Sequence, residues 1–202
     1  MNAEPRKGER RAKVRRKTHE TTIEVVLNLD GEGRADIQSP AGFLNHMLAL
    51  LARHSLMDLT VKAAGDTDVD MHHTVEDVGI CLGQAIEKAL GDKGGITRFA
   101  SASVPMDEAL AEVALDLSGR PYLVFSVMFP GECIGDFKTQ LVQEFLQAVV
   151  THAKLTLHVT VPYGSNDHHI AEAVFKALAR ALKGAVARDP RVLGTPSTKG
   201  VL

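Results

Sequence analysis

The chain has 202 residues, 45% hydrophobic and 24% charged, with a net charge of −2. That length suits one domain or two small ones built as a pair, and the composition excludes collagen-like and disordered chains. No apolar run approaches the ~20 residues of a membrane-spanning helix. No hydrophobic signal region follows the basic start, so a cytoplasmic protein with no membrane partner is expected. Cys81 and Cys133 are too few for a disulfide framework.

Charge is unevenly placed. Residues 1–17 carry eight Lys/Arg against Glu4 and Glu9, which makes this stretch +6 and the remainder −8. A basic arm can bind phosphate backbones. No aromatic residues are interleaved for base stacking, so the preferred reading is a tail running into a polar edge strand, with no nucleic-acid partner.

In chain order, residues 21–38 read as a hairpin. Ile23, Val25, Leu27 and Leu29 alternate with polar residues, Asp30-Gly-Glu-Gly33 is turn chemistry, and Ala35-Asp-Ile37 resumes extended. Phe43, Met47, Leu50 and Leu51 have helical spacing as far as His54. Met57–Ala63 alternates as a strand, and residues 73–90 form a helix that Gly91 ends. Strands are then predicted at Thr97–Pro105, Glu112–Leu117 and Pro121–Phe129. A helix at Thr139–His152, a strand at Lys154–Val161 and a long helix at His168–Val186 follow. Beyond Arg188 the density of Pro and Gly is that of a loop.

The order of elements repeats, and so do residues. A shift of 98 lays His46 on Glu144, Leu48 on Leu146, His54 on His152 and Val61 on Val159. A shift of 96 lays His72 on His168, His73 on His169, Glu76 on Glu172 and Leu82 on Leu178. The fold class expected is α/β (α+β). Two duplicated halves, each a small sheet covered by two helices, pack back to back. The segments are a basic tail 1–12, a first half 13–95, a second half 96–187 and a C-terminal loop 188–202, in one domain overall.

The repeat carries two copies of His-His-x-x-Glu, each opening a helix: His72, His73, Glu76 and His168, His169, Glu172. On a helix the first His and the Glu share a face, while the second His is turned about 100° away. Each copy can therefore offer a His/Glu pair to one cation and a single His to another. His46 and Glu144, at equivalent places on the two inner helices, would complete eight ligands. Imidazole and carboxylate without thiolate favour a six-coordinate Mn, Fe or Co site over structural zinc. His54 and His152 also repeat, and read as helix-end or packing histidines.

The sequence resembles the imidazoleglycerol-phosphate dehydratase family from about Lys13 to Leu202. The resemblance rests on Phe43-Leu-Asn-His-Met-Leu48, Asp70-Met-His-His-Thr-Val-Glu-Asp-Val-Gly79, Met106-Asp-Glu-Ala-Leu110, Leu115-Asp-Leu-Ser-Gly-Arg-Pro-Tyr122, Asn166-Asp-His-His169 and Pro196-Ser-Thr-Lys-Gly-Val-Leu202. It implies a manganese-dependent lyase of histidine biosynthesis with two Mn²⁺ per active site. One ion would take His46, His73, His168 and Glu172. The other would take His72, Glu76, His169 and residue 144, where many members have His and this chain has Glu144.

The same resemblance implies dehydration of imidazole glycerol phosphate to imidazole acetol phosphate. Two cations can bind both ring nitrogens and hold the ring as imidazolate, which expels the hydroxyl. Glu20 is implied for substrate contact and acid–base work, and Glu172 as a second catalytic carboxylate. His46 and His72 would also contact the substrate. Arg98, Arg120, Ser197 and Lys199 match positions that hold the phosphate, so 188–202 would be a phosphate-binding loop. The role of Asp107 stays open. The resemblance further implies a 24-subunit shell with shared active sites.

Two rivals remain at this stage. One is a non-catalytic di-metal assembly, which would have no use for the phosphate-directed cations. The other is a metal-dependent phosphoesterase, suggested by Asp167-His168-His169 but lacking the further Asp-centred motifs of that class.

Overall fold

The computed structural model describes residues 10–202. The first half comprises β1 (Arg11–Lys17), β2 (Thr21–Asn28), β3 (Ala35–Gln38), α1 (Gly42–Ser55), β4 (Asp58–Gly65) and α2 (His72–Leu90). The second comprises β5 (Phe99–Met106), β6 (Ala109–Asp116), β7 (Tyr122–Ser126), the short strands β8 (Cys133–Ile134) and β9 (Phe137–Lys138), then α3 (Leu141–Ala153), β10 (Thr156–Tyr163) and α4 (Asp167–Val186). The sheet orders correspond, β1-β2-β4-β3 and β5-β6-β10-β7.

A shift of 88 carries β2 onto β6, and a shift of 98 carries β4 onto β10. The difference is taken up between β7 and α3, where β8 and β9 pair as a small hairpin that the sequence reading did not anticipate.

Each sheet buries one face. Along β2, Ile23, Val25 and Leu27 are buried while Thr22 is exposed and Glu24 half-buried, as the pleat requires. Helix α2 covers β1 and β2, α4 covers β5 and β6, and the halves meet helix to helix, α2 on α3 and α1 on α4. The sheets therefore lie outside and the helices between them, with Phe145 and Phe175 stacked across the middle at 5.6 Å between ring centroids. The α2–α3 crossing is close because Gly79 and Gly83 have no side chain. A Cβ at Gly79 would lie 2.8 Å from the Phe145 carbonyl oxygen, and one at Gly83 2.7 Å from that of Val149.

One expectation is corrected. Residues 21–38 contain two strands but no hairpin, because β4 lies between them. β2 pairs antiparallel with β4, and β3 pairs parallel with β4 on its other edge. Asp58 at the start of β4 accepts hydrogen bonds from the backbone of Glu32 (2.9 Å) and Arg34 (3.0 Å), tying the Gly-rich turn to β4. Helix α1 then supplies the crossover that a parallel pair needs.

The described part of the basic stretch is built into the fold. Arg10 pairs with Asp30, Lys13 and Arg15 with Glu24, and Arg16 with Asp77. Residues 1–9, which include the rest of the basic tail, lie outside the described residues.

Candidate metal and phosphate site

Both paired-histidine motifs sit in the first turn of a helix, where a side chain from the preceding loop accepts from their backbone. Asn166 is the N-cap of α4, and its side-chain oxygen accepts from the backbone N–H of His168 (2.9 Å) and His169 (3.3 Å). Its counterpart at a shift of 96 is Asp70, whose carboxylate accepts from the backbone N–H of His72 at 2.7 Å.

At the start of α4 three of the expected ligands converge. His46 Nε2 and His168 Nε2 each lie 3.3 Å from Glu172 Oε2. Their candidate ligand atoms all fall within 4.8 Å of one another. Glu172 is buried, and its other oxygen contacts Lys176 Nζ at 2.5 Å. Burial alone would push this carboxyl up, but hydrogen bonds from Lys176 and His46 bring it below its ordinary value. Phe43 meets the His168 ring edge-on at 5.2 Å between ring centroids.

His73, expected with these three, belongs to a different group. Its Nδ1 lies 3.0 Å from Asp66 Oδ2 and 3.8 Å from Glu20 Oε2, and Glu20, Asp66 and His73 form the second potential cation cluster. The Asp66 carboxylate holds the His73 ring above its ordinary pKa. Among the described residues, Asp66 Oδ1 is buried without a hydrogen-bond partner.

His72 Nε2 stands 3.9 Å from Glu76 Oε2. His169 Nδ1 is 2.7 Å from Glu108 Oε2. That hydrogen bond raises the His169 pKa, and together with two backbone N–H groups it pulls the Glu108 carboxyl down to about 2. Glu144 is exposed on α3 and, among the described residues, does not join His72 and Glu76 in a three-ligand cluster. One chain thus gathers one triad of the expected ligands, holds His73 with Glu20 and Asp66 in a second, and leaves His72, Glu76, His169 and Glu144 outside both.

The candidate phosphate residues assemble around the C-terminal segment. Arg98 grips Asp116 with two prongs, Nε to Oδ1 at 2.7 Å and a terminal nitrogen to Oδ2 at 3.0 Å. Its third arm donates to the Pro196 carbonyl at 2.8 Å, next to Ser197. Gly119, at φ +76°, faces the C-terminal residue so closely that a Cβ would stand 2.7 Å from the Leu202 carbonyl carbon. The last residues therefore run between Arg98 and the Gly119-Arg120 turn. The Arg120 and Lys199 side chains lie in exposed residues, and Ser197 is half-buried.

The sequence model for imidazoleglycerol-phosphate dehydratase matches residues 39–182. The chain belongs to the imidazoleglycerol-phosphate dehydratase family. It is 60% identical over 194 residues to the imidazoleglycerol-phosphate dehydratase of Paracoccus denitrificans, covering 96% of this chain and all of that one. It is 57% identical to that of Symbiobacterium thermophilum, over 96% of this chain and 93% of the relative. Among solved structures, the Staphylococcus aureus imidazoleglycerol-phosphate dehydratase superposes with a TM-score of 0.80 at 40% identity, covering 88% of this chain and 98% of that one. The Pyrococcus furiosus protein gives 0.81 at 36% identity, covering 94% and 100%. As a dehydratase the chain is a hydro-lyase.

The site suits this family's chemistry. The His46, His168 and Glu172 donor set supplies imidazole nitrogen and carboxylate oxygen at spacings a divalent cation can bridge. Sequence reasoning did not find Asp66, Glu108, Lys176 or Asp116 as members of the site. For Glu108 a signal existed, since the shift of 88 that relates β2 to β6 lays Glu20 on it.

Proposed function

We propose that the chain dehydrates imidazole glycerol phosphate to imidazole acetol phosphate in histidine biosynthesis, in the cytoplasm, using two Mn²⁺ per active site. The observation that carries the metal reading is the convergence of His46, His168 and Glu172. Their fourth partner in this reading, His73, is held elsewhere by Asp66. That separation supports completion of each site by a second copy of the chain, as in a 24-subunit shell. Exposed Met128, Tyr122, Tyr163 and Phe99 supply apolar surface for such contacts. Among the described residues no helix is long and apolar enough to cross a membrane.

Cations held at this site would supply positive charge that favours an electron-rich imidazole ring. His46, His73, His168 and Glu172 would hold one of them, and His72, Glu76, His169 and Glu144 the other. Glu20, exposed beside His73, takes the proton from the carbon next to the one that loses hydroxide. Glu172 serves as a second carboxylate in reach of the ring, its charge kept by Lys176. Arg120, Ser197 and Lys199 anchor the phosphate, and Arg98 secures the segment that carries two of them.

The experiment is metal analysis of the purified protein alongside an assay for imidazole acetol phosphate. Release of inorganic phosphate without that product would replace this reading with a phosphoesterase.

A further inference from the structure

Glu20 and Glu108 are counterparts in the repeat. Each is the residue directly before its strand, β2 or β6, and the shift of 88 that superimposes the strands superimposes them. Their histidines, His73 and His169, correspond at a shift of 96. The two pairs nevertheless differ. Glu108 Oε2 lies 2.7 Å from His169 Nδ1, while Oε1 accepts the backbone N–H of Ser165 (3.1 Å) and Asn166 (2.8 Å); on the other side of the ring, Asp107 Oδ2 stands 3.7 Å from Nε2, beyond hydrogen-bond distance. Glu108 is thereby clamped between the β5–β6 turn and the loop that caps α4. Glu20 stands off at 3.8 Å from His73 Nδ1, and the hydrogen-bonding position is taken by Asp66 Oδ2 at 3.0 Å. At a shift of 96, Asp66 corresponds to Pro162, so the second half has no such carboxylate.

An ionised carboxylate only accepts, so the nitrogen facing it must carry the proton. A neutral histidine protonated at Nδ1 has its lone pair on Nε2, and a fixed ring orientation makes that nitrogen a better ligand. We infer that Asp66 and Glu108 are positioning residues that hold His73 and His169 as Nδ1–H tautomers with Nε2 left for a cation. Asp66, by taking this place in the first half, leaves Glu20 free to act on the substrate. The duplicated glutamates have thus diverged into one that orients a ligand and one that is available for proton transfer. This inference rests on the metal reading above.

The test is equilibrium competition for Mn²⁺ between a chelator and the full-length assembled protein at pH 8. Glu108→Ala is expected to weaken Mn²⁺ binding by about 10–100-fold, the usual cost of removing a ligand's outer partner. Glu108→Gln restores only part of it, because its one amide oxygen can accept the His169 N–H or the Ser165 and Asn166 N–H groups, but not both. Asp66→Ala loses less than about tenfold, since Glu20 closes on His73 Nδ1 in its place, and its turnover falls further than its metal affinity. Glu20→Ala alone leaves Mn²⁺ affinity unchanged. Asp66→Ala with Glu20→Ala, which removes both acceptors from His73 Nδ1, matches the loss in Glu108→Ala and exceeds the sum of the single effects.

A second readout guards against simple misfolding. Nitrogen-15 imidazole spectra of the metal-free wild type at high pH should show His73 and His169 as Nδ1–H tautomers, and the Ala variants should revert to mixtures. The inference is overturned if Glu108→Ala binds Mn²⁺ within about twofold of wild type, or if the double variant is no worse than Asp66→Ala. A wild-type protein that binds no Mn²⁺ would overturn the metal reading itself.

Discussion

Arg98 closes a two-pronged ion pair on Asp116 and turns its remaining arm to the Pro196 carbonyl, at 2.7, 3.0 and 2.8 Å. A residue at the start of the second half thereby fastens the end of the chain. Three of the five guanidinium N–H groups are engaged inside the fold, so the phosphate role proposed for it would run largely through the C-terminal segment it holds.

Arg98→Ala is accordingly expected to release that segment. The lost charge-assisted bonds should cost about 1.5–3 kcal/mol of local stability. Limited trypsin digestion should cut faster after Arg188, Arg191 and Lys199 than in wild type. Identical digestion kinetics would show that Arg98 does not hold the segment.

Lys199→Ala and Arg120→Ala should weaken substrate binding without releasing the segment. Each would lose the charge-assisted phosphate contact proposed for it, worth about 1.5–3 kcal/mol. The measurement is affinity for the substrate against its dephosphorylated analogue. Variants that discriminate as strongly as wild type would remove both residues from the phosphate site.

Gly83→Ala should destabilise the α2–α3 contact. The new Cβ would stand 2.7 Å from the Val149 carbonyl oxygen and 2.9 Å from the Ala153 amide nitrogen, both backbone atoms with little room to yield. A loss of about 1–3 kcal/mol is expected, as for other overpacked sites. Ala179, its counterpart on α4 at a shift of 96, already carries a Cβ in the core. Ala179→Gly should cost about 1 kcal/mol through helix propensity and a small void. Denaturant unfolding of both variants decides it.

The Glu108–His169 pair gives the metal-free protein a pH signature. Glu108, held down to about 2, favours the folded state above its ordinary value of 4.5 and ceases to do so as pH falls through about 2. His169, held up, favours the folded state below 6.5 and loses that contribution as pH rises through its raised value. The pair therefore stabilises most between about 4.5 and 6.5. Thermal unfolding of chelated protein across this range should show a plateau that Glu108→Gln flattens. Superimposable curves would contradict the pairing. Mn²⁺ needs the neutral ring, so acidification into the same window should release the metal.

Much of this architecture is legible in the sequence because it is written twice. Periodicity locates α1, α2, α3 and α4, and the paired histidines mark two helix starts without reference to structure. Strand partnership is less accessible. The Asp30–Gly33 turn specifies a reversal, but the neighbour of β2 is decided by β4 returning from α1 and by the Asp58 carboxylate that receives the turn. Asp66 and Glu108 escaped notice for a related reason. Each acts through a ring nitrogen supplied by a different element; Asp66 has no carboxylate counterpart in the repeat to point to it, and Glu108 is marked only by the shift of 88 that lays Glu20 on it. The distribution of His73 and His168 into separate clusters is likewise a tertiary fact, since both motifs look equivalent along the chain.

The most direct measurement is turnover of imidazole glycerol phosphate by protein stripped of metal, verified by elemental analysis, and then titrated with Mn²⁺. Formation of imidazole acetol phosphate should vanish on stripping and return as Mn²⁺ is added, saturating at two ions per active site. His168→Ala should abolish the return. Full dehydration by verified metal-free protein would contradict the assignment of His46, His168 and Glu172 to a catalytic metal.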